Sequence, residues 1–303
     1  MDLSVIIVSF NTKALLRDSI KSICDTINSL SYEIIVIDNA SDDGSREMIE
    51  AEFDKVILIR NVHNAGFASA NNQGIRRAKG KYFLLLNSDA LLNEGSVERL
   101  VEFADTHPNA AAIGPRVLNF DGTLQSKGFH FPSILFALMI LFRLPKFFQK
   151  EKLPSWFPGY YWDENTAGKV DWISGCCILL RREAVEDIGG LCEDFFMYHE
   201  DEEWCYRAGR KGYEIWYCPV AEVSHLNMAS PLLNRSEIGR QSTKIFYKKT
   251  IGICRGAAIS FLYILSNTVK ILRVILMTRE ANEYQDTKDR LKNELKFLKF
   301  LIT

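Results

Sequence analysis

Acidic and polar side chains follow several apolar runs of this sequence, and these residue types can hold a cation or move a proton. Asp38 ends the run EIIVID, and Asn87, Ser88 and Asp89 end the run LLLNSD. A further acidic group, HEDEE, spans residues 199–203. Carboxylate oxygens are ligands for Mg²⁺ and Mn²⁺, and a carboxylate beside a hydroxyl can take its proton. The sequence therefore contains candidates for a metal site and for a general base.

Each of these residues also has a structural explanation. Asn, Ser and Asp favour turns and helix N-termini, so Asp89 taken alone is equally well explained as a turn or cap residue. Asp38 is followed by further capping residues in VIDNASDDGS. Glu202 and Glu203 lie in the first turn of a predicted helix, where the positive end of the helix dipole favours acids. The candidates therefore need support from the elements around them.

The elements that would position these side chains alternate between strand and helix over the first 118 residues. Apolar and β-branched runs predict four strands, at residues 3–9, 33–37, 56–59 and 81–86. The segment NNQGIRRAKG predicts a short helix closed by glycine. Near-continuous apolar strands separated by helices are typical of a parallel sheet covered on both faces, which binds ligands at the carboxyl ends of its strands. The polar triplets SFN and NSD and the pair DN all lie at such ends.

The second half of the chain is less regular. After Asn119, NFDGT predicts a turn between two extended segments. DWISGCCILLRREA predicts a strand that leads into a helix, and EDFFMYHEDEEWCYRAGRKG predicts a helix that stops at Gly212. Two short strands are expected at residues 214–218 and 221–225, the second closed by His225. From about residue 230 the chain is expected to be helical and basic.

The overall composition excludes some classes of function. The 303 residues carry a net charge of −1, which argues against a nucleic-acid binder. The charge is uneven, because residues 244–303 contain twelve Lys and Arg against five Asp and Glu, or +7, which leaves −8 for residues 1–243. The seven cysteines are scattered without a C-x-x-C motif, a pattern typical of a reduced, cytosolic protein. The N-terminal residues predict a first strand rather than a signal peptide.

Taken in order, six segments of the chain resemble the nucleotide-sugar glycosyltransferases of family 2, whose fold is called GT-A. The segments are SVIIVSFN, EIIVIDNASDDGS, NAGFASANNQGI, YFLLLNSDALL, WISGCCILLRREA and FFMYHEDEEWCYR, all within residues 3–225. Each is weak alone, but six in register are specific, and the nearest branch is that of the rhamnosyltransferase-like members that build bacterial surface polysaccharides. The resemblance implies an α/β GT-A catalytic domain with a mainly parallel central sheet over residues 1–230. An apolar insert would occupy residues 131–165, and a basic, amphipathic helical region residues 231–303.

The resemblance also implies a site for the nucleotide-sugar donor. Asp38 would hydrogen-bond the pyrimidine base, and Ser9 and Asn11 would line the same pocket. The other positions that match the family's donor site are Asn64, Gly66, Asn72, Asn87, Ser88, Trp172, Gly175 and Arg207.

Some of these donor-site residues have alternative explanations. Gly66 could serve only as a backbone turn, and Trp172 could merely pack. Arg207 could reach phosphate oxygens, or it could pair with Glu203 one helical turn before it. The residues alone leave these alternatives open.

Asn87-Ser88-Asp89 aligns with the D-x-D-type metal motif of the family. Because the first acid is an asparagine here, Asp89 is the only anionic ligand in the triplet. His225 falls where the family often places a second ligand. The implied cofactor is Mn²⁺ or Mg²⁺, which would neutralise the diphosphate of the leaving group. The alternative is a His225 hydrogen-bonded to backbone at a strand end, and Met228 stands where the family usually has a glycine.

The resemblance assigns the acidic group at residues 199–203 to catalysis. Glu200-Asp201 matches the family's ED motif, with Asp201 as the general base for the acceptor hydroxyl and Glu200 as its support. One base without a covalent nucleophile implies a single displacement with inversion at the anomeric carbon. The helix dipole remains the alternative explanation for acids at this position.

Together these features predict an inverting, metal-dependent glycosyltransferase. The expected donor is a dTDP- or UDP-sugar, with dTDP-L-rhamnose suggested by the branch alone. The expected acceptor is a lipid-linked or polysaccharide hydroxyl in bacterial cell-surface glycan synthesis. Two other classes of function stay open. A nucleotidyltransferase would release pyrophosphate and would not need Asp201. The other class is a non-catalytic, membrane-associated sugar-binding protein, and the presence of both Asp89 and Asp201 argues against it. A nicotinamide oxidoreductase is disfavoured, because no G-x-G-x-x-G follows the first strand.

Two apolar segments and the basic C-terminal region predict contact with a membrane surface. The run at residues 134–142 is too short to span a bilayer, and the run at 257–277 contains Lys270 and Arg273. Near the C-terminus, apolar and basic residues recur at helical spacing: Leu291, Leu295, Leu298 and Ile302 beside Lys292, Lys296 and Lys299. Such a helix suits an anionic leaflet, so we expect a peripheral protein at the inner, cytoplasmic face of the membrane. The alternatives are a helix packed on the body of the protein and an oligomerisation surface, which would make the protein a homo-oligomer.

Overall fold

The computed structural model describes residues 1–126, 128–142, 165–226 and 235–277. The chain divides into two compact units, of which the first comprises Met1–Phe129 with Glu164–Ile238 and the second His130–Asp163 with Gly239–Thr303. Within the described ranges, the first unit carries the whole sheet and the second is built of helices.

Strands and helices alternate, as the sequence predicts for an α/β protein. In chain order the strands are β1 (Leu3–Ser9), β2 (Tyr32–Asp38), β3 (Ile57–Arg60), β4 (Tyr82–Asn87), β5 (Ala90–Leu92), β6 (Ala110–Leu118), β7 (Leu124–Ser126), β8 (Gly168–Val170), β9 (Cys177–Arg181) and β10 (Glu214–His225). The helices are α1 (Lys13–Thr26), α2 (Ser45–Glu52), α3 (Phe67–Arg77), α4 (Ser96–Thr106), α5 (Ile134–Leu141), α6 (Arg182–Ile188), α7 (Glu200–Arg210), α8 (Arg235–Lys249) and α9 (Ile253–Met277). The predicted fold class is confirmed.

One sheet runs through the first unit in the order β3-β2-β1-β4-β9-β6-β10-β5. Its first half, from β3 to β4, is parallel. β9 then runs antiparallel to both β4 and β6, and β10 lies parallel to β6. The sheet is therefore mostly parallel, and the carboxyl ends of β1, β2 and β4 lie side by side.

The strands are apolar because helices and loops cover both faces of the sheet. Nearly every side chain of β1 and β4 is buried. On α1, Leu16, Ile20 and Ile23 recur at helical spacing on one face and join the core that includes β1. Each such buried side chain contributes about 1.5–3 kcal/mol of stability. This apolar packing holds the polar strand ends in fixed positions.

Two elements differ from their predicted bounds. Residues 214–225 form one strand, β10, rather than two short ones, and its pairing with β6 shifts register between Cys218 and Glu222. Pro219 lies within this irregularity, where a proline is tolerated because the ladder is already interrupted. The helix expected at NNQGIRRAKG begins earlier, directly after Gly66, whose φ of +82° ends the preceding loop. The predicted NFDGT turn is confirmed and joins β6 to the antiparallel β7.

The described part of the second unit consists of α5, α9 and most of α8. α5 and α9 lie against each other, and Ala137, Met139, Ile259 and Ile264 are buried. Several large apolar side chains of this unit remain exposed: Ile134, Leu135, Phe142, Phe261 and Leu265. Among the described residues, no helix combines the length and the apolar character needed to cross a bilayer. The rest of the predicted apolar insert, and the predicted basic stripe after residue 277, lie outside the described ranges.

Candidate active site

The carboxyl ends of three neighbouring strands bring predicted donor-site residues together. In the parallel register Ser9 pairs with Asp38, and Val8 pairs with Asn87. The backbone N–H of Asn39 donates to the carbonyl of Ser9 at 2.8 Å. The first unit therefore presents polar side chains of β1, β2 and β4 at the edge where an α/β sheet binds ligands.

Asp38 is fully buried, and one of its two carboxylate oxygens lacks a partner in the described part of the chain. Oδ2 accepts hydrogen bonds from the Ser41 N–H at 3.2 Å and from Arg46 Nε. Oδ1 is buried without a hydrogen bond from any described residue. A buried acceptor without a donor is unfavourable, so Oδ1 is suited to receive an N–H group from a ligand.

Asn39, which lies in the strand-end pair DN but was predicted to have no role of its own, ties the loop after β3 to the end of β2. Its Nδ2 donates to Asn64 Oδ1 at 2.9 Å and to the Gly66 carbonyl at 3.2 Å. Its Oδ1 accepts from Asn61 Nδ2 at 2.9 Å and from the Ala65 N–H at 3.1 Å. The clustering of asparagines in DNAS and NVHNAG was the only sign of this network in the sequence. The network fixes Asn64 close to the end of β2.

Gly66 brings this loop close to the turn that precedes α7. Its φ of +82° is left-handed, and a Cβ at this position would lie 2.5 Å from the carbonyl oxygen of Phe196. The Phe67 N–H donates to the same oxygen at 2.7 Å. Only glycine fits this approach, which supports the explanation of Gly66 as a backbone turn.

The loop after β1 is held by the loop after β2 and by the end of β4. Asn11 adopts a positive φ of 54°, and its Oδ1 accepts from the Asp42 N–H at 2.9 Å. Ser9 Oγ and Thr12 Oγ1 lie 2.9 Å apart, and Thr12 Oγ1 donates to Ser88 Oγ at 3.0 Å. Thr12, which was not predicted as a site residue, thus links the hydroxyls of Ser9 and Ser88 in one chain.

Asp89 and His225 form the candidate metal site. β5 pairs antiparallel with β10, with Ala90 opposite His225, so the chain brings the carboxylate of Asp89 to the imidazole in a buried position. Asp89 Oδ1 lies 3.0 Å from His225 Nε2, and Asn87 Nδ2 lies 3.3 Å from the same nitrogen. The other ring nitrogen, Nδ1, faces the side-chain oxygen of Gln125 at 2.6 Å. The ring nitrogens therefore contact side chains rather than the backbone expected under the alternative explanation.

This pair of ligand atoms fits a divalent cation. Carboxylate oxygen suits both Mg²⁺ and Mn²⁺, and imidazole is an accepted ligand for the transition metal. Across the described ranges, no cluster of three or more His, Cys, Asp or Glu residues could hold a metal ion. Mg²⁺ sites commonly use one or two protein ligands and fill the remaining positions with water and substrate phosphates. Asp89 and His225 could therefore hold a cation together with a bound diphosphate.

Asp201 lies at the start of α7, keeps some access to solvent, and is oriented by two backbone N–H groups. Its Oδ2 accepts from the Gly175 N–H at 2.6 Å, and its Oδ1 accepts from the Glu202 N–H at 2.8 Å. Burial raises the pKa of Asp201, and these two hydrogen bonds partly oppose the increase. A carboxylate with a raised pKa and a fixed orientation is suited to take a proton from a hydroxyl.

The acids beside Asp201 are more buried. Burial raises the pKa of Glu200 well above its usual value, and the charge of Asp201 adds to the increase. Glu200 Oε2 has no hydrogen-bond partner among the described residues. Burial also raises the pKa of Glu202, which His199 partly opposes through a 2.6 Å hydrogen bond at Nδ1. Of these three acids, Asp201 is the most exposed and hence the one that a substrate can reach.

A short backbone segment joins the candidate base to the candidate metal site. The Gly175 N–H binds Asp201, and the carbonyl of the next residue, Cys176, accepts from the Asn87 N–H at 2.9 Å. Burial raises the pKa of the Cys176 thiol to about 11, and the charges of Asp201 and Asp89 also act to raise it. Both carboxylates therefore lie near this one residue.

Two predicted donor-site residues have structural partners within the first unit. Asn72 Nδ2 donates to the Leu191 carbonyl at 2.8 Å, and Asn72 Oδ1 accepts from the Leu191 N–H at 2.9 Å. Arg207 pairs with Glu203, and it also donates to two backbone carbonyls between α6 and α7 at 2.7 Å each. The structure thus favours the ion-pair alternative for Arg207, and it shows Asn72 tying α3 to the segment before α7.

Trp172 is partly exposed and stacks on Phe129, with ring centroids 4.4 Å apart. Its Nε1 is buried without a hydrogen-bond partner among the described residues. The segment that starts at Trp172 leads to Gly175, where a Cβ would lie 3.3 Å from Asp201 Oδ2. Gly175 therefore allows the close approach of the candidate base, and Trp172 lies three residues before it.

Comparison with known proteins is consistent with this site. A family model described as glycosyl transferase family 2 matches residues 4–189. The low-salt glycan biosynthesis hexosyltransferase Agl10 of Haloferax volcanii is 30% identical over 228 residues, which are 74% of this chain and 67% of that protein. The N-acetylglucosaminyl-diphospho-decaprenol L-rhamnosyltransferase of Mycobacterium tuberculosis is 29% identical over 205 residues, which are 63% of this chain and 66% of that protein. The matched part of the chain thus spans about two thirds of the length of these relatives.

The fold is also found among solved structures. A mannosyltransferase from Pyrobaculum calidifontis, in complex with GDP-Man and Mn²⁺, superposes with a TM-score of 0.59 at 15% identity, over 99% of this chain and 85% of that one. At this identity the likeness concerns the GT-A fold alone. The family model covers more than half of the chain and includes the ends of β1, β2 and β4. This protein therefore belongs to glycosyl transferase family 2.

Proposed function

We propose that this glycosyltransferase moves a sugar from a nucleoside-diphosphate donor to an acceptor hydroxyl, with inversion at the anomeric carbon. The observation that carries the proposal is the chain of contacts from Asp89 and His225, through Asn87, Cys176 and Gly175, to Asp201. A direct displacement needs a site for the charge of the leaving group and a base for the incoming hydroxyl. The chain supplies candidates for both on neighbouring segments.

The nucleotide of the donor would bind at the ends of β1 and β2. Asp38 Oδ1, which no described residue satisfies, would accept the N–H of a pyrimidine base. Ser9 and Asn11 lie on the adjoining loop, and Asn39 holds Asn64 nearby. These contacts support the proposed binding of a nucleoside diphosphate along this edge.

The diphosphate would extend from there towards Asn87, Ser88 and Asp89. A bound Mn²⁺ or Mg²⁺ would neutralise the charge that develops on the departing nucleoside diphosphate. Asp89 and His225 would hold that cation, since their ligand atoms face each other at 3.0 Å. The Mn²⁺ in the solved mannosyltransferase of this fold supports a divalent metal.

Asp201 would act as the general base. As the acceptor oxygen attacks the anomeric carbon, its proton passes to an oxygen of Asp201, and the bond to the phosphate oxygen breaks with its electron pair leaving on the nucleotide. The backbone N–H groups of Gly175 and Glu202 hold the carboxylate during this step. Glu200, whose pKa burial raises well above its usual value, would support Asp201 from the preceding position.

For the donor we propose a dTDP-sugar, with L-rhamnose as the first candidate sugar, and for the acceptor a lipid-linked saccharide of bacterial cell-surface glycan synthesis. The name of the mycobacterial relative combines an L-rhamnosyl group with a lipid diphosphate acceptor. A UDP-sugar is the second candidate, because a solved structure of this fold contains UDP.

We further propose that residues 1–230 form the catalytic domain, with the apolar insert at 131–165. Residues 231–303 would bind the cytoplasmic face of the cell membrane as a peripheral element. Residues 235–277 carry eight Lys and Arg against one acid, and apolar side chains of α5 and α9 are exposed. A basic and apolar surface suits an anionic leaflet, where a lipid-linked acceptor is also located. A homo-oligomer formed through the same side chains is the competing outcome.

The rival classes fit the site less well. A nucleotidyltransferase has no need for a base on α7, and a non-catalytic sugar-binding protein has no need for either Asp89 or Asp201. Membership of glycosyl transferase family 2 also favours sugar transfer.

A donor screen tests the proposal. Nucleotide release and thermal stabilisation are measured with dTDP-L-rhamnose, other dTDP-sugars and UDP-sugars, each with Mn²⁺, with Mg²⁺ and with a chelator. We expect one donor to bind and to be consumed only when metal and an acceptor are present. Asp89→Ala should lose the metal-dependent part of donor binding. The proposal fails if no dTDP- or UDP-sugar binds under any of these conditions.

A further inference from the structure

Gln125 on β7 contacts His225 at two places. Its Nε2 donates to the backbone carbonyl of His225 at 2.9 Å, and its Oε1 lies 2.6 Å from His225 Nδ1. Nε2 also donates to Asn119 Oδ1 at 2.7 Å. Nothing in the donor, metal or base motifs pointed to Gln125, which lies two residues after the predicted NFDGT turn. Its contact with the imidazole therefore needs a separate explanation.

The backbone carbonyl of His225 determines the orientation of the Gln125 side-chain amide. A carbonyl oxygen only accepts hydrogen bonds, so the amide nitrogen of Gln125 must face the carbonyl of His225. The amide oxygen then faces Nδ1 of the ring. Because that oxygen also only accepts, Nδ1 must carry the hydrogen. In a neutral His225 the lone pair is then on Nε2.

Asp89 alone would favour the opposite tautomer. Its Oδ1, 3.0 Å from Nε2, is an acceptor that attracts a hydrogen to that nitrogen. A hydrogen on Nε2 would block it as a metal ligand. With the hydrogen kept on Nδ1, the lone pair of His225 Nε2 faces the carboxylate oxygen of Asp89. A cation bound by both atoms stabilises this arrangement. Gln125 thus opposes Asp89 in setting the tautomer of His225, and Asn87 Nδ2, 3.3 Å from Nε2, acts in the same direction as Gln125.

The β6–β7 hairpin fixes Gln125 in turn. The Asn119 N–H donates to the Thr123 carbonyl at 2.8 Å, and Asn119 Nδ2 donates to Thr123 Oγ1 at 2.9 Å. Asn119 Oδ1 remains as the acceptor for Gln125. The turn at NFDGT therefore sets the direction of the glutamine side chain.

We propose that Gln125 is a positioning residue of the metal site, whose side-chain oxygen holds the hydrogen on Nδ1 of His225 and so presents Nε2 to the cation. The inference rests on the proposed function, since it takes Asp89 and His225 as the metal ligands. Groups that hydrogen-bond the remote nitrogen of a ligating histidine fix its tautomer, and their loss typically weakens metal binding about 10- to 100-fold.

The first test reads the tautomer directly. Long-range ¹H–¹⁵N correlation spectra of the full chain are recorded without metal at about pH 8.5, where an ordinary imidazole is neutral. Comparison with His225→Gln assigns the signals of His225 among the five histidines. We expect a hydrogen on Nδ1 in the wild type that is lost in Gln125→Met, where it moves to Nε2. Any spectrum of His225 that Gln125→Met leaves unchanged overturns the proposal.

The second test measures the affinity of the site for a cation. Mn²⁺ is titrated in the presence of dTDP and followed by electron paramagnetic resonance. We expect Gln125→Met to weaken Mn²⁺ binding about 10- to 100-fold. Phe120→Ser changes an exposed side chain of the same turn that makes no hydrogen bond to Asn119 or Gln125, so this control should keep the wild-type affinity.

The outcomes separate the inference from the proposed function. Equal Mn²⁺ affinity in the wild type and in Gln125→Met refutes the role of Gln125 and leaves metal-dependent transfer intact. Equal weakening in Phe120→Ser also refutes it, because a general disturbance of the hairpin then explains the loss. A wild type that binds no Mn²⁺ refutes both the metal-dependent function and the role of Gln125 towards a cation.

Discussion

At the residue scale, two adjacent acids on α7 have opposite surroundings. The carboxylate of Asp201 receives two backbone N–H groups, which stabilise its charged form. Glu200 Oε2 has no described partner, and burial raises the pKa of Glu200 well above the ordinary value. Burial raises the pKa of both acids, but the N–H groups of Gly175 and Glu202 oppose the increase at Asp201. Asp201 is therefore the acid better suited to take a proton.

Replacement of the base tests this assignment. Asp201→Asn keeps the size of the side chain but cannot take a proton, so we expect kcat to fall about 10²- to 10⁴-fold while donor binding is unchanged. The measurement is steady-state transfer together with donor titration. Asp187→Asn is the matched control, because Asp187 is an exposed acid on α6 paired with Lys211. Wild-type kcat in Asp201→Asn would contradict the assignment.

The buried carboxyl of Glu200 makes stability depend on pH. In the unfolded chain a Glu side chain ionises near pH 4.5, whereas folded Glu200 keeps its proton to a higher pH. The stability from this group is therefore complete below pH 4.5 and declines as the pH rises through the raised pKa of the folded state. Glu200→Gln, which stays neutral, should gain stability relative to the wild type between pH 5 and 8, to about 1.4 kcal/mol per unit of pKa shift. Urea unfolding at pH 5 and at pH 8 measures the stability of Glu200→Gln relative to the wild type, with Glu94→Gln at an exposed position as the control. A difference from the wild type that does not change with pH would contradict the raised pKa of Glu200.

The polar strand ends could be predicted from the sequence, but their partners could not. Asp38 and Asp89 follow apolar runs that are unmistakable as buried strands, so local patterns locate them. Gln125 and Asn39 act through contacts with residues 100 and 22 to 27 positions away, which no local pattern encodes. The Leu191 backbone that binds Asn72 and the two carbonyls that bind Arg207 were equally unpredictable, whereas the pairing of Arg207 with Glu203 was one of the predicted alternatives. Site residues at strand ends are therefore predictable, whereas those that orient them depend on the tertiary fold.

At the element scale, the turn before α7 combines uncommon backbone angles with a close contact. Tyr198 and His199 both have positive φ, of 74° and 67°, which is unfavourable for residues other than glycine. The Phe196 carbonyl accepts from Phe67 at the start of α3, and Gly66 leaves room for it. The loop near the nucleotide edge and the helix that carries the base are therefore in direct contact. Helix and strand order were predictable here, but this contact between two loops was not.

A methyl group at Gly66 tests this contact. Gly66→Ala adds left-handed strain of about 1–2 kcal/mol and places a Cβ 2.5 Å from the Phe196 carbonyl oxygen. We expect it to lower both stability and kcat, because the turn that leads to Asp201 must shift. Gly212→Ala shares the positive φ but has nothing within 4 Å of its added Cβ, so it should lose stability from strain alone and keep kcat. Urea unfolding and transfer kinetics give both quantities, and equal kcat in the two variants would contradict the contact's role.

The sheet also shows where local patterns reach their limit. The parallel order of β1, β2 and β4 follows from apolar runs separated by helices. β9 is inserted antiparallel between β4 and β6, and β10 continues through a proline as one strand. Strand direction and continuity depend on which neighbour a strand pairs with, and the apolar pattern is the same for either direction. The prediction of two short strands in place of β10 was wrong for this reason.

At the scale of the whole molecule, charge and apolar exposure are unevenly distributed along the chain. Residues 1–243 carry a charge of −8 and residues 244–303 a charge of +7. The second unit also exposes large apolar side chains on α5 and α9. An acidic catalytic part is repelled by an anionic leaflet while the basic part is attracted, so the distribution itself favours one part of the chain for membrane contact.

Vesicle flotation tests this part of the proposal. We expect the full chain to float with vesicles that contain an anionic lipid, and to float less as salt increases. Phe261→Ser with Leu265→Ser removes two exposed apolar side chains of α9 and should reduce flotation. Val220→Ser, which removes an exposed apolar side chain from β10 in the first unit, should have no effect. If the wild type stays with the unbound fraction, or if the double variant instead abolishes a dimer seen by light scattering, the surface is not a membrane contact.

Oδ1 of Asp38, which no described residue satisfies, bears on which activated sugars of a cell can bind. Thymine and uracil carry a hydrogen at N3 and can donate it to Oδ1, whereas cytosine has a bare lone pair at N3. Cytosine can offer Oδ1 only its exocyclic N4–H, so a cytidine-activated sugar would have to place its base differently from a thymine or uracil. We therefore expect CMP-linked sugars to bind more weakly than dTDP- or UDP-linked sugars, a difference that competition titration measures. The nucleobase would thus determine which donors can bind, and the site would discriminate between sugars only among donors whose base fits.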